Sequence, residues 1–475
     1  MSLLQTLLLV AFALLIRLVF PGKIRSWVIL AVSIVAIYWL QPALPIRQLD
    51  FWFPTATLGI VFLSWGLTAE KNAIRDCENL KTMGFTFSIV MLISLTRYVS
   101  IEGIITASRP PKVFNIALVF FIFSGLTVLL VQHLNTKKSF IVFGIFLILC
   151  IFLILKNPLL SIFSSSQLRF LFSQNPTLAK KTDLGWLGFS YLSFRIIHVL
   201  VDRLHGRLKD IKLGEYLIFT IFYPSFLAGP LDRMQRFRRG FNQLNPITSE
   251  DTFQNLARLS RGLFRKFILA DALAVFSISS INATQVKSSG WLWVITIAYS
   301  FQLFLDFAGY TDIAIAAGGF LGFNLPENFN RPYLQSNLTQ FWNRWHISLT
   351  QWIRAYFFNP LTRYLRRNSR IHVIIVILIT QVSTMIVIGL WHGISLNFFI
   401  WGIWHGFGLF IHNRWSNTFG LRIKTLGEKQ QGLQPFIHAS GLLLTFFYTS
   451  IGWVWFSLPE ADLAWQTLLR LFGKG

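Results

Sequence analysis

Charge is scarce in this chain, and acid is scarcer than base. Of 475 residues only 13% are charged, with 19 Asp or Glu against 43 Lys or Arg. A soluble domain carries about a quarter charged residues, so a water-soluble globular enzyme is excluded. Cysteine is nearly absent: Cys77 and Cys150 stand far apart, outside any metal-type or redox-type spacing. That removes a disulfide framework and a CxxC redox centre. H-E-x-x-H is missing, which disfavours a zinc protease. G-x-S-x-G is missing too, and neither cysteine has a local base, so direct transfer is a simpler chemistry than a covalent intermediate. No tandem or inverted repeat and no low-complexity linker divides the chain.

Apolar length is abundant. The chain is 54% hydrophobic and 16% aromatic, with mean hydropathy +0.56. Apolar runs long enough to cross a bilayer core as a helix recur along it. The expectation is an all-α, polytopic helical membrane protein forming a single membrane domain over residues 1–475, in the cell (inner or plasma) membrane. Leu3–Phe20 has Arg17 inside it and no small-residue cleavage site behind it, which suits a retained span better than a signal peptide. Further spans are expected at Trp27–Leu40, Phe51–Leu67, Gly84–Val99, Phe114–Leu134 and Phe140–Leu155. Residues 108–112, Ser-Arg-Pro-Pro-Lys, require a turn. Pro158–Phe172 is amphipathic and suits either the interface or a re-entrant segment. Residues 1–157 carry no chemical motif and read as a helical wall.

The formal net charge of +24 fits cytoplasmic loops facing anionic lipid headgroups. It also suits attraction of an anionic donor or an acidic carrier protein. Nucleic acid is not an expected partner, because the basic residues flank spans. The densest stretch holds Arg233, Arg236, Arg238, Arg239, Arg258, Arg261, Arg265 and Lys266, partly offset by Glu250 and Asp251. It reads as cytoplasmic, with room for interfacial helices. Tyr364–Arg370 is a second basic patch.

Polar residues punctuate the second half. Arg195 is expected to snorkel and His198 to find a neighbouring partner. Tyr216–Leu227 is short and broken by Pro224, which is tolerated where a break lines a cavity or packs in protein. Helices are expected at Ala270–Ile281 and Trp291–Phe307, with Gly309 and Gly318-Gly319 weakening any continuation to Gly322. Asp306 and Asp312 lie about 120° apart around a helix, so they are no paired-carboxylate site. Gln340–Phe357 reads as one amphipathic helix that stacks Trp342 and His346 as an i, i+4 pair. Ile371–Leu390 is a span closed by Trp391-His392-Gly393. Phe398–Ile411 follows, with the near-repeat Trp404-His405-Gly406. The two histidines are about 220° apart around a continuous helix, so a two-histidine metal site is poorly supported and no metal is expected. His405 and His412 read as structural. A loop is expected at Gly432–His438 and a final span at Leu442–Phe456.

Several ordered motifs run through this half: Phe222-Tyr-Pro-Ser-Phe-Leu-Ala-Gly-Pro230, Phe307-Ala-Gly-Tyr-Thr-Asp312, Leu325-Pro-Glu-Asn-Phe329, Arg331-Pro-Tyr333, Phe341-Trp-Asn-Arg-Trp-His-Ile-Ser348 and Trp391-His-Gly393. In this order they resemble the membrane-bound O-acyltransferase (MBOAT) family, in its bacterial branch of alginate O-acetyltransferases and teichoic-acid D-alanyl transfer proteins. The resemblance runs from about Leu184 to about Trp455. It implies helices and re-entrant segments around a central catalytic cavity, with residues 184–455 as the core. It makes His392 the catalytic histidine and His346 its upstream companion. A neutral imidazole suits proton removal from an attacking hydroxyl near neutral pH, provided that water is kept out. The candidate substrate-binding residues are Asn343, Arg344 and Trp391, each with packing as the alternative, and Asp312, read as a structural or lining carboxylate rather than a catalytic acid.

The implied function is O-acylation, with acetyl as the leading acyl group, of an extracytoplasmic polysaccharide or glycan. The co-substrate is an acyl thioester, either acetyl-CoA or an acylated carrier protein on the cytoplasmic side, and no cofactor is bound. The bilayer and an extracytoplasmic acyltransferase are the implied partners. D-alanyl transfer toward teichoic acid and acylation of a lipid alcohol are alternatives. A transporter or exporter is the rival from another class, because broken apolar segments would suit it.

Overall fold

The computed structural model describes residues 2–99, 103–133, 137–242, 248–367, 370–429 and 433–474. Among them every regular element is helical. Among the described residues eight helices are long and apolar enough to cross a membrane, including Leu49–Thr68, Val113–Gln132, Ser289–Leu321, Val373–His392 and Leu433–Ser457. Phe114, Phe121, Leu129 and Leu444 stand exposed on them, a pattern that suits hydrocarbon rather than water. The six spans expected in the first 157 residues are all found as helices, from Leu3–Val19 to Lys137–Lys156. Leu134, Asn368, Ser369 and Gly432, which end or interrupt expected elements, lie outside the described residues.

The chain forms two compact units, Met1–Ala257 with Ile313–Leu325, and Arg258–Asp312 with Pro326–Gly475.

In the first unit, buried rings such as Phe51, Phe62, Trp65, Tyr216 and Phe219 form the core. Polar side chains cross-link the helices there. Tyr38 Oη lies 2.9 Å from Thr55 Oγ1, Ser64 Oγ lies 2.9 Å from Tyr216 Oη, and Trp65 Nε1 donates to the Ile211 carbonyl at 2.8 Å. Arg195 does not snorkel. It is 3% exposed and donates to the carbonyls of Phe219, Thr220 and Ser225 at 3.1, 2.9 and 2.7 Å, and to Ser225 Oγ. The cause is the break after Leu213–Ile221, where Pro224 cannot continue the helix. The freed carbonyls need a buried donor. His198 finds its partner: Nε2 accepts from the Met234 amide at 2.9 Å.

In the second unit, Val373–His392 and Leu396–Lys429 pack as an antiparallel pair joined by a short turn. Glycines set their approach. A Cβ on Gly402 would lie 2.6 Å from Ile386 Cα, and one on Gly406 would lie 2.6 Å from Val382 Cα.

Four expectations fail here, the first being a continuous helix at Ala270–Ile281, which ends at Phe276 and restarts at Ser280. Ser289–Leu321 is one unbroken helix of 33 residues. Gly309 does not break it, because its bare Cα serves packing: a Cβ would meet Gly262 O and Lys266 N at 2.8 Å. Residues 433–438 begin the Leu433–Ser457 helix instead of forming a loop, since Pro435 falls in the first turn, where proline is tolerated. The single Gln340–Phe357 helix is interrupted at His346. The Ala461–Leu471 helix has no counterpart in the sequence reading.

These packing distances predict opposite signs for one substitution at two glycines of the same helix. Gly402→Ala should destabilise by about 1–3 kcal/mol through overpacking. Gly420→Ala, whose Cβ would meet nothing nearer than Ser416 Oγ at 3.4 Å, should gain up to about 1 kcal/mol of helix propensity. Thermal unfolding of both variants in detergent checks the contrast, and equal shifts would contradict it.

Candidate active site

The site begins with a chain break. Leu338–Arg344 opens with the Asn337 side chain accepting from the Gln340 amide at 2.9 Å and ends before Trp345. His346 then takes a left-handed conformation, φ 44° and ψ 53°. That region is sparsely populated by residues with a Cβ and costs about 1–3 kcal/mol. Ile347–Ile353 starts the next helix, continued by a π turn at Arg354–Phe358 and by Asn359–Arg366.

Asn328 holds the break. Its carbonyl accepts from the Ile347 amide at 2.9 Å. Its Oδ1 accepts from the Ser348 amide at 3.1 Å and from Ser348 Oγ at 2.6 Å. The Asn330 amide donates to the Arg344 carbonyl at 3.1 Å. The first amides of a new helix have no partner within it, and the Pro-Glu-Asn-Phe segment supplies one.

His346 and His392 line one small cavity of about 60 Å³. His346 is 3% exposed, and neither ring nitrogen has a hydrogen-bond partner among the described residues. Its ring meets Phe307 edge-on at 4.7 Å and Trp391 at 6.1 Å. It lies outside the membrane-crossing helices. Burial pushes its imidazole down to about 3, so the ring is neutral at physiological pH. His392 is the last residue of Val373–His392. Its half-buried ring lies 4.6 Å from Trp391, 4.7 Å from Phe456 and 5.9 Å from Trp401.

Aromatic and aliphatic groups complete the wall, among them Leu303, Phe307, Trp342, Trp401, Trp453 and Phe456. Trp453 is fixed by donating to Tyr333 Oη at 3.1 Å, and Tyr333 in turn donates to the Ser300 carbonyl at 2.8 Å. No lining side chain is a carboxylate, ammonium or guanidinium. Two imidazoles in a chamber whose lining carries no other ionisable side chain can take and return a proton.

A second, larger cavity of about 240 Å³ shares Trp342, Thr350 and Ile388 with the first. Its lining is more polar, with Thr339, Asn343, Arg354, Gln381 and Thr384.

The four candidate binding residues separate. Asn343 lines the second cavity, its Oδ1 accepting from Arg354 Nη2 at 2.7 Å. Trp391 packs edge-on against both imidazoles and lines neither cavity. Arg344 contributes its carbonyl to the break. Asp312 sits among arginines, with Arg261 at 3.1 Å, Arg265 at 2.8 Å and Arg258 at 3.8 Å, and lines neither cavity. Asp306 pairs with Lys266. His405 is fully buried against Trp401 and Trp342, and His412 Nδ1 lies 3.0 Å from Thr339 Oγ1. Among the described residues no three His, Cys, Asp or Glu side chains are placed to hold a metal ion.

The sequence reading left Leu303, Phe307, Trp401, Trp453 and Phe456 without a role. They come from three helices, and no local spacing marks them as one wall. Asn328 stood inside a quoted motif, but its bonds to residues 19 and 20 positions later left no periodic trace.

The family model of the membrane-bound O-acyltransferases (MBOAT) matches residues 141–445. The chain is 32% identical over 301 residues to a teichoic acid D-alanyltransferase of Streptococcus thermophilus, covering 60% of this chain and 71% of that protein. It is 31% identical over 299 residues to a probable alginate O-acetylase AlgI of Azotobacter vinelandii, covering 61% and 54%. It is 32% identical over 263 residues to a peptidoglycan O-acetyltransferase of Helicobacter pylori, covering 54% and 46%. The chain thus matches about half the length of the latter two proteins. The match takes in more than half of this chain, both histidines and the whole series of motifs: the chain belongs to the membrane-bound O-acyltransferase family, whose activity is acyl transfer to oxygen.

Proposed function

We propose that this protein transfers an acetyl group from a thioester to a hydroxyl of an extracytoplasmic polysaccharide or glycan, with His392 as general base. The observation that carries this reading is the shared chamber, with two imidazoles, a hydrophobic wall and no fixed charge. The acceptor oxygen attacks the thioester carbonyl carbon while its proton passes to His392. The carbonyl electrons move onto oxygen and then return, the C–S bond breaks, and the thiolate takes the proton back from His392. His346, neutral through burial, orients a substrate or polarises the carbonyl by hydrogen bonding. The wall excludes the water that would otherwise hydrolyse the thioester.

Acetyl fits better than D-alanyl. A D-alanyl group carries an ammonium, and a buried cation is held best by a carboxylate, which the chamber lining lacks. Alginate and peptidoglycan, named for two of the relatives, are the acceptor classes that this reading puts first. The donor is a thioester of coenzyme A or of a carrier protein, drawn from the cytoplasmic side, where the basic helices would attract its negative charge. Transfer onto an extracytoplasmic polymer gives a role to a second acyltransferase outside the membrane.

The test is acceptor-dependent thiol release by the purified protein in lipid. Acetyl-CoA and a D-alanyl-loaded carrier protein serve as donors, with alginate oligosaccharides, peptidoglycan fragments and teichoic acid as acceptors. Acetyl-CoA should release thiol with a glycan acceptor. His392→Ala should cut turnover by about 10²–10⁴-fold, with the fold intact by thermal unfolding. Full turnover in a folded His392→Ala variant would remove His392 as the base. Solute movement without thiol release would establish the exporter instead.

Burial of His346 also predicts a pH dependence of stability. Its ordinary value is about 6.5 and its folded value about 3, so the unfolded chain takes up the proton first. The resulting stability is fully present above about pH 6.5 and is lost as pH falls toward about 3. His346→Asn should flatten the decline in melting temperature across that window, and an identical pH profile in the variant would contradict a buried, neutral imidazole.

A further inference from the structure

The chamber's size is a separate constraint from its chemistry. An apolar cavity of about 150 Å³ takes one benzene, which has six carbons. By that scale the chamber's volume of about 60 Å³ takes two or three heavy atoms. An acetyl group has three, counting methyl, carbonyl carbon and oxygen. Propionyl has four and butyryl five. The space that accommodates the one is too short for the others unless a wall residue yields.

The wall has two sides. Trp342, Thr350 and Ile388 belong to both cavities, so they form the partition through which an acyl group from the larger cavity would pass. Leu303, on Ser289–Leu321, and Phe456, on Leu433–Ser457, line the small chamber and not the larger one. Both are half-buried, and neither side chain has a polar atom to satisfy. Trp401 and Trp453 are 1% exposed, and Trp453 is tied to Tyr333, so they hold their places as backing. Phe456 stacks edge-on to His392 at 4.7 Å, directly beside the group that takes the proton.

We propose that Leu303 and Phe456 set the acyl-size limit of this enzyme, closing the chamber behind a two-carbon acyl group and rejecting thioesters of longer acids. The inference rests on the reading that the chamber receives the acyl group. Each added methylene would have to displace part of a packed side chain, and one methylene in a hydrophobic pocket is worth about 10–200-fold in discrimination.

The experiment compares kcat/KM for acetyl-, propionyl- and butyryl-CoA, read as acceptor-dependent thiol release in lipid. The wild-type protein should prefer acetyl to butyryl by at least about tenfold. Leu303→Ala should raise the butyryl-to-acetyl ratio at least about tenfold, and Leu303→Val, which removes less, should raise the propionyl-to-acetyl ratio. Phe456→Leu should move the ratio in the same direction while also lowering acetyl turnover, because the ring against His392 is lost. Leu409→Ala, which enlarges only the second cavity, should leave the ratio unchanged. An unmoved ratio in folded Leu303→Val, Leu303→Ala and Phe456→Leu overturns the assignment while leaving the acetyl-transfer reading intact. Equal wild-type use of acetyl and butyryl thioesters also overturns it. Absence of thiol release from every thioester, with the protein folded, removes the acyltransferase reading and this inference with it.

Discussion

One asparagine side chain fixes the geometry of the site. The helix that carries Trp342 has to stop, turn through a left-handed residue and start again within three positions. Each restart leaves amide groups without a partner, and at a site buried from solvent the protein has to supply one. Asn328 accepts from both amides that follow His346 and from the Ser348 hydroxyl. The strain at His346 is sustained because its neighbours on both sides are pinned. The other unit solves the complementary problem in the complementary way. There the helix breaks at its C-terminal end, the freed groups are carbonyls, and the guanidinium of Arg195 donates to three of them. An acceptor serves the start of a helix and a donor serves the end of one.

These two devices explain where sequence reading succeeds and where it does not. The membrane helices were legible because apolar length over about 20 residues is a local property with one structural solution. The two histidines were legible because they stand in short motifs, Phe341–Ser348 and Trp391–Gly393. The break at His346 was not legible. Trp342, Trp345, Leu349 and Trp352 continue a helical rhythm straight through it, and the bonds that cancel that rhythm come from Asn328 in another segment. Arg195 failed for a similar reason. An arginine in an apolar run normally reaches for the interface, and only the tertiary position of a proline-broken helix gave it buried acceptors. Gly309 is the opposite case: a glycine that permits close packing looks the same in sequence as one that ends a helix.

The distribution of charge completes the account. The chain carries +24 formal charges, yet neither guanidinium nor ammonium reaches the chamber lining. The acids are sequestered as well. Phe307 faces the chamber, and Asp312, five residues on and about 140° around the same helix, is held by Arg258, Arg261 and Arg265. That separation matters for the chemistry. A carboxylate beside either imidazole would favour the protonated ring, and a protonated ring cannot accept a proton from an attacking hydroxyl. An arginine beside it would make the imidazolium formed during transfer harder to reach. The chamber's wall keeps the volume small, at about 60 Å³, so the groups that keep fixed charge out of the lining are also the ones that would limit an acyl group entering it.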